Sequence, residues 1–443
     1  MTDLEVELYG LGLGTLSEAG GTFDFRVHPE ALTRYGTGSR VLSQAVPLSS
    51  RPRRADARIR RNFFDELLPE GRARTRLAGN ARLAPDYTIG MLARYGRDVA
   101  GALAIYDPSA PEEPRTPGLR HLATDQVGEI LREVARAPLG NTTAHRMSSL
   151  AGVQDKIVLA KDGATWAEPL DGFPSTHIVK PVVPTHPSLI FDEEYGARIA
   201  RHLGLLAYET AIETFGDITA LVIERYDRSP DAPGHRLHQE DFNQALGMTG
   251  DGKYQDEGHP GLAAIAKVVR SADRESLPRL LRMVTLSIAV GNLDMHAKNI
   301  SLLRLPDGTA RLAPAYDVVP QLHQPVEPVV ALYVNGVREH AAIRLDDLVA
   351  EGRTWGVEDA ELVVRDTLER IAGFVDGEKQ HPGAHHSLQD DVRRVTGRLL
   401  DGERAGGGDG SSPAAPAAID PTAAPVFVRP PEAPGGWGGP QRR

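Results

Sequence analysis

The chain has 443 residues, 41% hydrophobic and 25% charged, with 50 basic against 60 acidic side chains and a formal net charge of −10. That length permits two or three domains, and ordinary globular usage with an acidic balance excludes wholesale disorder and a generally basic nucleic-acid coat. The absence of cysteine excludes a disulfide framework, thiolate metal ligands and a cysteine nucleophile.

The start, Met1-Thr2-Asp3-Leu4-Glu5, lacks the basic and apolar regions of a signal peptide. No apolar run reaches the roughly 18 residues of a membrane span. A soluble cytoplasmic protein is therefore expected. Apolar and polar residues alternate over Leu4 to Tyr9 and over Thr22 to Val27, either side of a glycine-rich stretch, which predicts a β-hairpin opening a small strand-rich domain. The stretch Gly10-Leu11-Gly12-Leu13-Gly14 is mis-spaced for a dinucleotide loop and runs into strand-like sequence, so no cofactor is expected there.

Arg51 to Arg76 carries nine arginines against four acids, with Phe63, Phe64, Leu67 and Leu68 at helical spacing. This predicts a packed helix ringed by snorkelling arginines, with phosphate contact as the alternative. The Pro- and acid-rich run from Pro108 to Pro117 marks the end of a first domain, residues 1–107. Strand signals then dominate: Lys156 to Lys161, His177 to Val182, Ala211 to Phe215 and Thr219 to Glu224, interrupted by a helix from Asp192 to Leu203 that stops at Gly204. Residues 108–228 read as a linker and a strand-rich lobe. Leu262 to Val269 and Leu280 to Val290 are helical, making 229–404 a helix-rich lobe, with a nucleotide site expected between the two. From Ala405 onward 16 of 39 residues are Gly or Pro, so 405–443 is expected to be a disordered Gly/Ala/Pro tail.

The densest polar cluster, Gly291 to Asn299, follows a helix apolar on nearly all faces, and so many polar groups at the end of a buried helix need a reason. Asp294, with Asn299 five residues later, offers a carboxylate to accept a hydroxyl proton and an amide to hold a metal, as phosphoryl transfer requires. Ile300 to Leu303 and Ala310 to Ala313 form a hairpin around Pro306-Asp307-Gly308 that returns Asp317 towards Asn299. Two carboxylates side by side call for a divalent cation, and Mg²⁺ prefers such hard oxygen ligands. Lys180, ending the strand His177 to Pro181, is suited to nucleotide phosphates and is oriented by Glu194 or, second, Glu193. Backbone groups around Glu224 and Tyr226 are suited to pairing with and covering an adenine. His296 either orients the loop or a phosphate, or is a packed loop histidine. His235, His238, His381, His385 and His386 lack zinc-ligand spacing.

On these motifs the chain resembles the HipA family of serine/threonine kinases, toxin halves of type II toxin-antitoxin modules. Ser149-Leu150-Ala151-Gly152-Val153-Gln154-Asp155-Lys156 is similar to the family's phosphate loop, and His177 to Pro181 to its ATP-lysine strand. Glu224-Arg225-Tyr226-Asp227, His238-Gln239-Glu240-Asp241, Asn292 to Asn299, Tyr316-Asp317 and, in the first domain, Leu68-Pro69-Glu70-Gly71-Arg72 extend the resemblance over about residues 1 to 400.

The resemblance implies an α+β fold, with a protein-kinase-like two-lobed core preceded by a small β-rich domain. It implies Asp294 as catalytic base and Asn299 and Asp317 as Mg²⁺ ligands. ATP would be bound by Ala151, Gly152, Val153, Gln154, Asp155, Lys156, Lys180, Glu224, Tyr226, His296 and Lys298. Ser149 becomes the autophosphorylated serine, with Ser148 as its neighbouring alternative. The implied partners are a HipB-like helix-turn-helix antitoxin, with DNA contact only through or with it, and a protein substrate such as an aminoacyl-tRNA synthetase; no membrane is implied. An antitoxin-binding transcriptional co-regulator with secondary kinase activity, and a lipid or small-molecule kinase, are the alternatives. Tyr316-Asp317-Val318 stands where ordinary kinases have Asp-Phe-Gly, so their activation-loop control does not transfer.

Overall fold

The computed structural model describes residues 3–20, 22–152, 154–255 and 259–407. Val153 and residues 408–443 of the expected tail lie outside them. The first domain is an antiparallel sheet of β1 (Leu4–Leu8), β2 (Leu11–Ala19), β3 (Thr22–Val27) and β4 (Leu103–Tyr106), in the order β3-β2-β1-β4. The glycine-rich stretch, expected to join a two-stranded hairpin, is itself strand: Gly12 pairs with Glu7 and Gly14 with Val6, and Leu13 and Leu16 are buried.

Helices Pro29–Tyr35, Ala57–Asp65, Gly71–Ala81 and Thr88–Tyr95 complete this domain, with Phe63, Phe64, Leu67 and Leu68 in its core. The single helix expected from Arg51 to Arg76 is thus two. Pro69 lacks an N–H and disfavours helical backbone in the residue before it, so 66–70 becomes a connecting bend. Arg60 is buried and donates to the Arg53 carbonyl at 2.9 Å, whereas Arg51, Arg54 and Arg58 remain exposed.

A six-stranded antiparallel sheet follows, formed by β5 (Gly118–Leu122), β6 (Ile157–Asp162), β7 (Thr165–Leu170), β8 (His177–Pro181), β9 (Thr210–Phe215) and β10 (Ile218–Glu224), in the order β5-β7-β6-β8-β10-β9. Lys180 pairs with Leu221 and Val179 with Val222 across β8 and β10. Strand side chains alternate between faces. Val179, Ala220 and Val222 pack with Val127 and Leu131 of helix Thr124–Arg132, while Ile178, Lys180, Leu221 and Ile223 line a cavity on the other face.

Helix Leu189–His202 lies on the cavity side and approaches the backbone after Asp317 at Gly196, where a Cβ would sit 2.0 Å from the Val318 carbonyl oxygen. Only glycine permits that contact. The helical lobe is built around the buried helix Leu277–Val290, packed by Ala360–Gly377 and Leu388–Leu400. On it lies the small sheet β11 (His238–Asp241), β12 (Ser301–Arg304) and β13 (Ala310–Leu312). The folded chain runs slightly beyond the expected end: Ala405 is fully buried and donates to the Ile343 carbonyl at 2.9 Å.

An ionic junction welds the first domain to the rest. Arg225 donates to both oxygens of Asp227, at 3.0 and 2.8 Å, and to the Val99 carbonyl at 3.0 Å. Arg228 reaches Asp98 at 2.9 Å, and Asp227 also accepts the Gly101 N–H at 2.7 Å. Breaking one partner of such buried pairs costs about 3–5 kcal/mol, so this contact is not a loose linker.

Candidate active site

The cavity, about 330 Å³, lies where the six-stranded sheet, the loop Gly291–Asn299 and the bend 66–70 meet. Lys180 projects into it from β8 with its side chain 7% exposed. Its Nζ donates to both Glu193 oxygens, at 2.7 and 3.0 Å, and to Asp317 Oδ1 at 3.0 Å. Burial alone would lower its proton affinity, but Asp317 and Glu193 outweigh it and raise Lys180 above the usual lysine range, so the ammonium stays charged. The orienting acid is therefore Glu193, not Glu194, which faces Arg198 one turn along at 3.8 Å. Gly196 fixes the phase: the face that closes on Val318 carries Glu193 inward.

The loop after helix Leu277–Val290 is braced by its own amides. Asn292 Oδ1 accepts the Asp294 N–H at 3.2 Å, Asn292 Nδ2 donates to the Asp317 carbonyl at 3.3 Å, and Asn299 Nδ2 donates to the Asp294 carbonyl at 2.9 Å. Asp294 is one-fifth exposed and accepts the Tyr254 hydroxyl at 3.2 Å. Burial, helped by the Asp317 charge and opposed by Lys253, pushes Asp294 up to about 7. His296 is buried, its Nε2 lies 3.9 Å from Asp294, and burial lowers it to about 3.

In the phosphate-loop segment, Gly152 adopts φ +106°, and a Cβ there would lie 2.7 Å from Lys156 Nζ. Lys156 donates to the Ala151 carbonyl at 2.7 Å, and burial with the neighbouring Lys180 lowers it to about 8. Ala151, Gly152, Gln154 and Lys156 line the cavity, but Asp155, expected with them, does not. Gln154 and Lys156, on either side of it, take the cavity side of the segment leading into β6. Ser149 is fully buried outside the cavity, donating to the Leu67 carbonyl at 2.8 Å; Ser148 is equally buried and donates to Asp98 at 3.1 Å.

Glu224 and Tyr226 both line the cavity. The Glu224 N–H donates to the Glu209 carbonyl at 2.9 Å, and the Tyr226 ring stacks on Tyr316 at 5.6 Å. Asn299, Lys298 and Asp317 reach the same space. Sequence reasoning missed Glu66, Glu70, Lys253, Tyr254 and Asp241 in its wall, although the motif Leu68 to Arg72 already pointed at Glu70. Lys298 forms ion pairs with Glu66 and with Glu70, the latter at 2.6 Å, and both carboxylates come from the first domain.

Asp317 supplies a carboxylate, and Asn299, its Nδ2 engaged, keeps Oδ1 as an acceptor. These two oxygen ligands, with the Asp294 carboxylate nearby and repelled by Asp317, fit a hard cation that shares its shell with phosphates. Among the described residues no cluster of three or more His, Asp or Glu is arranged to hold a metal by itself, the grouped His323, His385 and His386 included.

Residues 148–375 match the HipA-like C-terminal domain model and residues 4–106 the HipA N-terminal domain model. The chain belongs to the HipA family of serine/threonine-kinase toxins. It is 33% identical over 345 residues to a putative kinase, Y4mE, of Sinorhizobium fredii, covering 75% of this chain and 81% of the relative. It is 27% identical over 354 residues to the serine/threonine-protein kinase toxin HipA of Shewanella oneidensis, covering 75% and 78%. In fold it is similar to HipA in a complex of Shewanella oneidensis HipA, HipB and operator DNA, with a TM-score of 0.71, 24% identity, and coverage of 90% of this chain and 96% of that one. The two-lobed α+β kinase-like architecture is therefore as expected. No helix among the described residues is long and apolar enough to cross a membrane.

Proposed function

We propose that this protein is an ATP-dependent serine/threonine protein kinase acting as the toxin of a type II toxin-antitoxin module. The observation that carries the proposal is the convergence of Lys180, Asp294, Asn299 and Asp317, drawn from three separate segments, on one cavity. Lys180 and Lys156 would face the nucleotide phosphates, Asn299 and Asp317 would hold Mg²⁺, and the apolar walls Ile178, Leu221 and Ile223 would receive the base. Bound Mg²⁺ would supply charge neutralisation on the phosphates.

Asp294 accepts the proton of the acceptor hydroxyl as its oxygen bonds to the terminal phosphorus and the bridging P–O bond breaks, releasing ADP. A carboxylate pushed up to about 7 is matched to that task near neutral pH. Autophosphorylation at Ser149 requires the loop to leave its seat, because the hydroxyl is enclosed against the Leu67 carbonyl. A phosphate bringing nearly two negative charges cannot return there, which disables the loop.

The HipA–HipB–operator complex supports a HipB-like antitoxin as partner, with DNA reached through it. A translation component such as an aminoacyl-tRNA synthetase is the proposed target. The test is transfer of labelled phosphate from ATP by wild type and by Asp294→Asn, offered lysate protein, lipid and small-molecule pools. Label should enter protein with wild type and fall by about 10²–10⁴ with the variant. No label in Ser149 or in any lysate protein removes this reading.

A further inference from the structure

Glu66 and Glu70 bracket Leu67-Leu68-Pro69 in the first domain, yet both carboxylates enter the cavity of the other two lobes. They are held differently. The Glu66 side chain is 4% exposed; besides Lys298 it accepts the Thr249 hydroxyl and the Gly250 N–H, each at 2.8 Å, which makes it a fixed counter-ion. Glu70 is 22% exposed and spans two ammonium groups, one oxygen 2.6 Å from Lys298 Nζ and the other 2.8 Å from Lys253 Nζ.

Two lysines sharing one bridging anion form a seat for a phosphoryl group, whose oxygens are spaced much like those of a carboxylate. The seat lies at the Asp294 end of the cavity. Lys298 stands between Asp294 and Asn299 in sequence, and Lys253 adjoins Tyr254, whose hydroxyl meets Asp294 at 3.2 Å. Lys180 is held away from this seat by Glu193 and Asp317, and Lys156 lies between, near enough to feel the charges of both Lys180 and Glu70. In-line transfer to a hydroxyl at Asp294 requires the terminal phosphate at the Lys253/Lys298 end.

We propose that Glu70 is a built-in stand-in for the terminal phosphate of the nucleoside triphosphate, bridging Lys253 and Lys298 until the triphosphate takes its place. This deepens the kinase reading and rests on it. Glu66, Glu70, Lys253 and Lys298 sum to zero charge, so the triphosphate meets a neutral seat; without the Glu70 charge the seat carries one net positive charge. A diphosphate does not reach it. Glu70 thereby sets the discrimination between ATP and ADP.

The test is equilibrium binding of MgATP and MgADP to the full chain in an Asp294→Asn background that prevents turnover. Glu70→Gln should bind MgATP about tenfold more tightly and leave MgADP within about twofold. Glu70→Asp, too short to span both lysines but still charged, should shift MgATP in the same direction by less, and serves if the amide variant fails to fold. Equal shifts for the two nucleotides, or weaker MgATP binding in whichever variant folds, overturns the proposal. Wild type that binds neither nucleotide sinks the kinase reading itself, and this proposal with it.

Discussion

The pH profile of the free enzyme should be a narrow bell with its top near pH 7.5. Its acid limb belongs to Asp294, pushed up to about 7, and its alkaline limb to Lys156, lowered to about 8. The signs follow from the roles. A base works only once deprotonated, so kcat/KM rises as pH passes upward through the Asp294 value; a phosphate-binding lysine works only while protonated, so kcat/KM falls above the Lys156 value. Ionised Asp294 and protonated Lys156 coexist in roughly 0.6 of molecules at pH 7.5 and about 0.09 at pH 6 or pH 9, a fall of about sixfold on each side. With ordinary values for both groups the rate would be flat from pH 6 to pH 9. His296, lowered to about 3, stays neutral throughout and cannot produce either limb. Asp241, pushed up to about 7 in the same wall, can, so Asp241→Asn is the control and should keep the acid limb. Lys156→Arg should turn the alkaline limb into a plateau, because a guanidinium does not lose its proton in this range. Initial rates of labelled phosphate transfer at subsaturating ATP give kcat/KM directly. A flat profile, or an acid limb abolished by Asp241→Asn with activity retained, would refute the assignment.

Glu193→Gln should lower transfer by at least tenfold and cost about 3 kcal/mol in urea unfolding, since it leaves the buried Lys180 with Asp317 alone; Glu194→Gln should stay within about 0.5 kcal/mol and keep its rate. Gly152→Ala should raise the KM for ATP about tenfold with little change in kcat, because φ +106° is costly for a residue with a Cβ and the loop must give up its shape. Ser149→Ala loses one buried hydrogen bond, about 1 kcal/mol by urea unfolding, but should retain its activity through a preincubation with MgATP that disables wild type, and should be more growth-inhibitory in cells. Wild type that keeps full activity through that preincubation, or equal toxicity of the two forms, counts against control at Ser149.

The loop from Asn292 to Asn299 was legible because the sequence offers no structural use for so many polar groups after a helix as apolar as Leu277–Val290. The strands carrying Lys180 and Glu224 were legible from their short apolar runs. The strand β7 was not: Pro169 and Glu168 interrupt its pattern, and the buried Glu168 is compensated by an ion pair with Arg120 from β5 and by the buried Arg146 at 3.9 Å. Glu66 and Glu70 were hidden by distance, Lys298 lying 232 residues beyond Glu66 and Lys253 lying 183 residues beyond Glu70. The choice between Glu193 and Glu194 turns on helix phase, and a phase signal was present. Consecutive helix residues point about 100° apart, and the small pair Gly196-Ala197, three and four residues after Glu193, marks the face that must approach another backbone closely.

Where such an enzyme could be switched follows from which segments are tied. Ordinary kinases are controlled by ordering and disordering the chain that follows the metal-binding aspartate. Here that chain is pinned at once: the Asp317 carbonyl accepts Asn292 Nδ2, Gln321 receives the Leu293 N–H at 2.9 Å and donates its own N–H to the Gly291 carbonyl at 3.0 Å, and His323 meets buried Asp192 at 3.1 Å. Releasing it would break all of these and expose Asp192 on the helix that carries Glu193. The phosphate loop is the opposite case. Residues 149–152 form no helix or strand, and its seat on the first domain consists chiefly of the Ser149 hydroxyl on Leu67, the Ser149 N–H on the Asp98 carbonyl at 2.9 Å and the Leu150 side chain in that domain's core. These ties are fewer than those on the chain after Asp317, and on the proposed reading the residue that makes two of them is the one that is phosphorylated. Control should therefore act on the nucleotide's seat, with the first domain as the surface that the loop leaves.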